Sequence, residues 1–160
     1  MGSSAGAIMV SQLGSVITNP DYAALLGIIP ALQPEQVRTV VLDDAPLDYE
    51  SFTLGCKFLI GNYVRNTIFL SKEEISRYNN ILHVTPDYPA AVLLGSEYRH
   101  DMNAMHDALE AHGVENILID PLAEHGEEKP HCFVANERTD PIAKEAFDRL
   151  AAFLAEKTGA

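Results

Sequence analysis

The chain has 160 residues, enough for one domain with a buried core, and 47% apolar against 21% charged residues is the balance of a globular protein. The net charge of −12 argues against nucleic acid or an anionic membrane as a partner. No apolar run approaches the roughly 18 residues of a membrane span, and no signal peptide is visible, so we expect a cytoplasmic protein without a membrane partner.

The cysteine count and the absence of nucleotide-binding motifs exclude further classes of protein. Cys56 and Cys132 are too few for a disulfide framework and lack the spacing of metal ligands. The chain has neither a G-x-G-x-x-G fingerprint nor a P-loop, which argues against a nucleotide-binding sheet.

The chain opens on Gly2-Ser3-Ser4-Ala5-Gly6, which fits G-x-S-x-G, a sharp strand-to-helix turn that exposes a serine hydroxyl. A Cβ at Gly2 or Gly6 would crowd the neighbouring strand and helix, so glycine suits both places. An ordinary glycine/serine-rich helix start, or an expression scar over residues 1–4, explains the pentapeptide on its own. The interpretation of Ser4 as a nucleophile therefore depends on finding an acid and a base farther along the chain.

Strand-like and helix-like segments then alternate along the chain, which predicts an α/β fold with parallel strands and flanking helices. The apolar runs of the strands, nearly continuous, suit a sheet covered on both faces. The predicted strands are 37–42, 90–94 and 114–119. Six helices are predicted. The first runs from the G-x-S-x-G turn to Asn19-Pro20, the second covers 20–27, the third lies within 52–63 and the fourth covers 72–78. The fifth has Asp101 as its cap and ends at Gly113, and the sixth begins at Asp140-Pro141.

Two longer segments separate these elements. Residues 47–80 hold helices between two strands, which is where a lid or substrate-binding cap would lie; simple helical cover for the sheet is the other interpretation. A capping box, Ser71 with Glu74, starts the second of these helices. Residues 120–136 read as a long loop.

Polar residues come directly after each predicted strand, where parallel sheets bind their ligands. They are Asp43 with Asp44, the segment from Glu97 to Asp101, and a loop with His125 and His131. A serine hydroxyl becomes nucleophilic when a histidine takes its proton and a carboxylate orients that histidine. The order serine, acid, histidine is the chain order of the α/β-hydrolase triad.

On these residues the chain resembles the C-terminal half of an α/β-hydrolase of the esterase/lipase group. The matching pieces, which span nearly the whole chain, are G-S-S-A-G-A, H-V-T-P-D-Y-P before a strand ending in L-L-G-S-E, a helix closed by H-G-V, and P-H-C-F before the last helix. The resemblance implies a partial α/β-hydrolase fold over residues 1–160 without its N-terminal strands. It also implies hydrolysis of a small-molecule carboxylic ester, with no metal and no organic cofactor.

The resemblance assigns roles to particular residues. Ser4 is the nucleophile, the Ala5 N–H is an oxyanion donor, and His131 is the base, preferred over His125. Glu97 falls on the acid position, where the group usually has aspartate.

The acid therefore has alternatives. Asp101 is the nearest along the chain, although its role as a helix cap already explains it. Asp43 and Asp44 also qualify, because some members of the superfamily take their acid from the preceding strand end.

The missing strands carry further expectations. The strand at 37–42 should present an unpaired apolar edge, open to a partner polypeptide or to a homo-oligomer. One of the two oxyanion donors should be absent, which typically costs about 10²–10³ in kcat. We expect a truncated chain that hydrolyses esters weakly or not at all; the alternative is a non-catalytic α/β-hydrolase-like binding or assembly module.

Overall fold

A computed structural model describes residues 1–159, and its centre is a four-stranded sheet in which every strand pairs in parallel. The strands lie side by side in chain order: β1 Gly2–Ser3, β2 Thr39–Asp43, β3 Ala90–Leu94 and β4 Asn116–Ile119. The parallel α/β class predicted from the sequence is confirmed. The carboxyl ends of all four strands therefore meet at one edge of the sheet.

Within residues 1–159, eight α-helices flank this sheet. They are α1 Ala5–Thr18, α2 Pro20–Leu26, α3 Leu54–Arg65, α4 Lys72–Tyr78, α5 Arg99–Ala111, α6 Pro121–His125, α7 Phe133–Asn136 and α8 Pro141–Thr158. The prediction of a plain loop over 120–136 is wrong, because α6 and α7 lie within it. Both are too short, at five and four residues, to show a helical period in the sequence.

Alternate strand residues face opposite sides of the sheet, and each side packs against helices. Leu42 and Leu93 pack with Ala7 of α1 and Met105 of α5 on one side. On the other side the cluster contains Val41, Val92, Ile119, Phe133, Ala146, Leu150 and Phe153, which brings α7 and α8 over that face. Burial on both faces explains the continuous apolar strand sequences.

Helix α1 is buried through its small residues. Ser11, Gly14 and Ser15 are buried, and a Cβ on Gly14 would lie 2.6 Å from the ring of Tyr88. Met9 and Leu13, two of the apolar residues that suggested the helix, are 58% and 40% exposed. Small side chains let the helix approach the segment around residues 80–88, so its apolar residues point partly to solvent.

The segment from residue 47 to 80 has a small core of its own. Tyr49, Phe52, Ile60, Leu70 and Tyr78 form a separate apolar cluster, with the three aromatic residues of its centre packed edge to face. The predicted capping box at the start of α4 is confirmed, with Ser71 and Glu74 bonding each other's backbone N–H groups.

The edge predicted at 37–42 is partly paired. Gly2 lies opposite Leu42 and Ser3 opposite Asp43. Within residues 1–159, no strand pairs with Thr39, Val40 or Val41 on that side. Self-association through this edge stays a prediction.

Gly2 and Gly6, which the sequence treats alike, have different surroundings and make a matched test. A Cβ on Gly2 would lie 2.2 Å from the Gly6 carbonyl oxygen, whereas one on Gly6 would meet nothing within 4 Å. We expect Gly2→Ala to lower the free energy of unfolding by about 2 kcal/mol or more. Gly6→Ala should raise it by about 0.5–1 kcal/mol, because alanine favours a helix.

Urea denaturation of both variants measures these changes. Equal effects in the two variants would contradict the close approach at Gly2.

Candidate functional site

Ser4 lies at the sharp turn between β1 and α1. Its backbone, at φ 53° and ψ −122°, is in a region that L-residues rarely adopt. Its N–H donates to the carbonyl of Asp43 at 2.8 Å, and its own carbonyl accepts from Ala7 N at 2.9 Å. Bonds to β2 on one side and to α1 on the other therefore hold the turn in this conformation.

Ala5 is the first residue of α1, so its N–H has no acceptor within the helix. The positive end of the helix dipole lies at the same place. A developing oxyanion beside Ser4 would meet a backbone donor here, in agreement with the role that the resemblance gives to Ala5.

Asp44, the residue after β2, is fully buried and has a positive φ of 56°. Its two carboxylate oxygens accept six hydrogen bonds. The donors are Ser96 N (3.0 Å), Ser96 Oγ (2.6 Å), Glu97 N (3.1 Å), Tyr98 N (2.7 Å), His131 Nδ1 (2.6 Å) and Cys132 N (3.3 Å). The loops after β3 and β4 thus converge on one carboxylate.

These donors decide the charge of Asp44. Burial alone would raise the pKa of its carboxyl, but the hydrogen bonds from Ser96, Tyr98 and His131 outweigh it and lower the pKa below its ordinary value. The carboxylate is therefore ionised at neutral pH although it is buried.

His131 lies on the opposite side of this contact, with about a third of its side chain exposed. Donation from Nδ1–H to Asp44 selects the tautomer whose Nε2 is free to accept a proton. The ring of Tyr98 packs edge-on against the imidazole at 5.6 Å between centroids, and Asn136 Nδ2 donates to the His131 carbonyl at 2.8 Å. Asp44 and Tyr98 thus orient the ring, and Asn136 holds the backbone of the same residue.

The structure favours Asp44 over Glu97 as the partner of this histidine. Glu97 Oε2 lies 3.5 Å from His131 Nδ1, beyond the 2.6 Å bond to Asp44, and the Glu97 side chain is 60% exposed. Its backbone N–H, by contrast, donates to Asp44. His131 is therefore bonded to Asp44, one of the alternatives left open, and not to Glu97, the leading choice of acid.

The other two acidic candidates are engaged elsewhere. Asp43 accepts from Ser3 Oγ at 2.7 Å, and its second oxygen is buried without a partner among the described residues. Asp101 accepts from Leu47 N at 2.8 Å and Asp48 N at 2.7 Å. The prediction that Asp101 caps its helix is wrong, because α5 begins two residues earlier, at Arg99.

His125, the alternative base, lies at the end of α6. Its Nε2 is 3.9 Å from Glu124 and 3.7 Å from Glu145 of α8. The structure therefore joins His131, and not His125, to the buried acid.

Ser4 and His131 approach the same pair of aspartates. Ser4 bonds the Asp43 carbonyl, the Cys132 thiol lies 3.9 Å from that carbonyl, and His131 bonds the Asp44 side chain. Three of the four non-glycine residues with positive φ in residues 1–159 are Ser4, Asp44 and Cys132. Backbone strain thus concentrates at the end of β1 and β2, as it does at functional sites.

Cys132 is not an alternative nucleophile. Burial, followed by the nearby charges of Asp43 and Asp44, raises the pKa of its thiol to about 12. The thiolate, which is the reactive form, is therefore absent at neutral pH.

In the described part of the chain, two groups of side chains place potential metal ligands close together. One is Asp44, His131 and Cys132; the other is Glu124, His125 and Glu145 on the surface. In the first group the Asp44 oxygens already accept six hydrogen bonds, and in the second Arg149 already pairs with Glu124. Both arrangements are accounted for by hydrogen bonds and ion pairs.

An apolar groove of about 580 Å³ begins beside the turn at Ser4. Ala5, Ile8 and Met9 of α1 form one wall, and α3 and α4 form the other with Leu59, Ile60, Tyr63, Val64 and Tyr78. The groove lies next to the predicted oxyanion donor, and its volume is that of a small-molecule site.

Comparison with known proteins supplies no relative. No protein-family model matches the chain, and neither a curated protein nor a solved structure matches it significantly. The helices of residues 1–159 include none that is long and apolar enough to cross a bilayer.

Asp43 provides a test of the electrostatics of the site. Burial, then the nearby Asp44 charge, raises the pKa of Asp43, against the hydrogen bond from Ser3. A folded-state pKa above the unfolded value of 3.8 means that ionising Asp43 opposes folding, and this penalty is absent below the unfolded pKa and grows as pH rises to the folded one. Asp43→Asn removes the charge and keeps an acceptor for Ser3.

We therefore expect Asp43→Asn to gain stability relative to wild type between pH 3 and pH 7. Urea midpoints across this range measure the difference. A difference that does not vary with pH would contradict a raised pKa at Asp43.

Proposed function

We propose that the protein is a serine hydrolase acting on carboxylic esters through Ser4, His131 and Asp44. The observation that carries the proposal is the 2.6 Å bond from His131 Nδ1 to a buried Asp44, together with a serine at positive φ on a helix N-terminus whose N–H bonds the carbonyl of the adjacent Asp43. A buried charge and a strained backbone each lower the stability of the fold, and a serine triad uses both. A relationship to the α/β-hydrolases is part of the same proposal.

Each residue has one role in the proposed reaction. His131 Nε2 takes the proton of the Ser4 hydroxyl as its oxygen attacks the ester carbonyl, and the Ala5 N–H stabilises the resulting oxyanion. The same imidazole then protonates the departing alcohol. Water, activated by His131, releases the acid from the acyl-enzyme and restores Ser4.

The case for Asp44 as the acid rests on burial and charge. An ionised, buried carboxylate stabilises the imidazolium strongly, because little water screens the interaction. Glu97 is mostly exposed and 3.5 Å away, so solvent weakens its effect.

The lining of the groove favours an ester substrate with an apolar acyl group. This lining is mostly aliphatic and aromatic, with Gln12, Arg65, Glu74 and Arg77 as polar members, and the groove begins at Ala5, where the carbonyl carbon must lie during attack. A small hydrophobic acyl group suits the apolar part of this lining.

Labelling with a fluorophosphonate probe tests the nucleophile and the base together. We expect the wild type to be labelled, Ser4→Ala to lose all labelling, and His131→Ala to slow labelling at least about 10³-fold, because a neutral serine is a poor nucleophile. Ser3→Ala, one residue away, is the control and should keep labelling. Labelling that survives in Ser4→Ala refutes the proposal, and an unlabelled wild type favours a non-catalytic α/β module.

The two carboxylates near His131 can be separated by matched amides. We expect Asp44→Asn to slow probe labelling about 10⁴-fold, since the amide selects the wrong imidazole tautomer. Glu97→Gln should slow it less than about tenfold, as expected for an exposed charge. Labelling rates at fixed probe concentration decide between them, with circular dichroism as the check that both variants fold.

The reverse order, with Glu97→Gln the slower variant, would restore Glu97 as the acid.

A further inference from the structure

The groove beside Ser4 changes in polarity along its length. At the end next to Ser4 it is lined by Ala5, the first residue of α1, and then by the apolar side chains of Ile8 and Met9. Gln12 of the same helix also lines the groove, and it follows Ala5 by seven residues, which places it about 10 Å farther along the helix axis. The groove is therefore apolar near Ser4 and polar at its distant end.

Hydrogen bonds place Arg77 at this distant end. Gln12 Nε2 donates to the Tyr22 hydroxyl at 3.0 Å, and that hydroxyl donates to the Arg77 carbonyl at 2.6 Å. Arg77 belongs to α4, and it too lines the groove. The groove thus runs from the N–H of Ala5 to an arginine beside Gln12.

The guanidinium of Arg77 has few partners within the protein. It carries five N–H donors. Within residues 1–159 it makes one hydrogen bond, from Nη2 to Glu73 at 2.7 Å, and its Nε is buried without an acceptor. The Glu73 side chain is 73% exposed and lies outside the groove lining, so solvent weakens the pair. Most donors of Arg77 are therefore left for water or for a ligand.

The charged side chains of the groove lining do not cancel. They are those of two arginines and one glutamate: Arg65, Arg77 and Glu74. Arg65 of α3 pairs with Glu74 at 3.1 Å, so Arg77 is the charge that has no partner among the residues of the lining. The rest of the protein is acidic, but salt largely screens charges more than about 8 Å away, so the lining dominates the field in the groove. This arrangement favours a ligand with one negative charge at the end of an apolar chain.

We infer that the groove binds an ester whose acyl chain ends in a carboxylate, that is, a half-ester of a dicarboxylic acid. The ester carbonyl lies at Ala5, the methylene chain packs against Ile8 and Met9, and the terminal carboxylate accepts two hydrogen bonds from Arg77. A chain of about six carbons, with the length of one charge-assisted hydrogen bond added, covers most of the distance of about 10 Å.

The identification of the ligand as an ester rests on the proposed function, whereas its apolar chain and terminal charge rest on the groove lining. Hydrolysis would break the bond between the acyl carbon and the alcohol oxygen. Water would supply the hydroxyl to the acyl carbon and a proton to the alcohol, so the products would be a dicarboxylate and an alcohol.

Titrations followed by NMR with unreactive amides test the inference without turnover. The two ligands are the mono-N-methylamide of adipic acid, which keeps the terminal carboxylate, and N-methylhexanamide, which has a methyl group in its place. We expect the wild type to bind the acid at least about tenfold more tightly than the neutral amide, the effect of one charge-assisted hydrogen-bonded contact.

Two similar arginines provide the variant and its control. Arg77→Gln should lower the affinity for the acid about tenfold and leave that for the neutral amide unchanged. Arg149→Gln should change neither: Arg149 on α8 is 37% exposed against 35% for Arg77, it also pairs with a glutamate, and it lies outside the groove. Glu73→Gln removes the exposed competitor for Arg77 and should raise the affinity for the acid severalfold.

The inference is overturned if the wild type does not bind the acid, if it binds the acid and the neutral amide equally well, or if Arg77→Gln and Arg149→Gln lose equal affinity. Weaker binding of the acid to Glu73→Gln than to the wild type also contradicts it. A wild type that binds the acid through Arg77 but escapes labelling at Ser4 supports the charged end of the groove and contradicts the hydrolase alone. A labelled wild type that does not prefer the acid contradicts this inference and leaves the hydrolase standing.

Discussion

The structure depends on one buried charge, the carboxylate of Asp44. It accepts from the backbone or side chains of Ser96, Glu97 and Tyr98 after β3 and of His131 and Cys132 after β4. Without it, several buried donors would lose their acceptor, each at a cost of about 1–3 kcal/mol. The group that would orient the histidine in catalysis thus also joins the loops of three neighbouring strands.

This arrangement explains why backbone strain accumulates there. Ser4, Asp44 and Cys132 each adopt a positive φ, which costs on the order of 1–3 kcal/mol per residue. Ser4 is fixed by its bond to Asp43, and Cys132 by its N–H to Asp44. Each strained residue is therefore held by hydrogen bonds to its neighbours at the site, and relaxing one would disturb the others.

The parts of this site that local sequence determines could be predicted, and the parts that loop conformation determines could not. Apolar β-branched runs placed the strands, and Asp140-Pro141 placed the start of α8, whose N-cap bonds Ile142 N and Ala143 N. Choosing between Asp44 and Glu97 required the path of the chain after β2, where a left-handed Asp44 turns its side chain toward the later loops. The prediction that Asp101 caps its own helix failed for a related reason, because its hydrogen-bond partners, Leu47 and Asp48, lie more than 50 residues away in the sequence.

Those distant partners also determine how the segment from residue 47 to 80 is held on the sheet. Asp101 of α5 accepts from the backbone at the start of the segment, and the Tyr78 hydroxyl at its end donates to the Pro46 carbonyl at 2.6 Å. Asn79 Nδ2 adds a bond to Asp48 at 2.9 Å. Swinging the segment open as a lid would break buried hydrogen bonds, one pair of them to a carboxylate, whereas a fixed segment keeps the groove formed before a ligand arrives. A preformed groove spares the ordering cost of binding, so the shape of its wall on α3, rather than a closing motion, would select the acyl group.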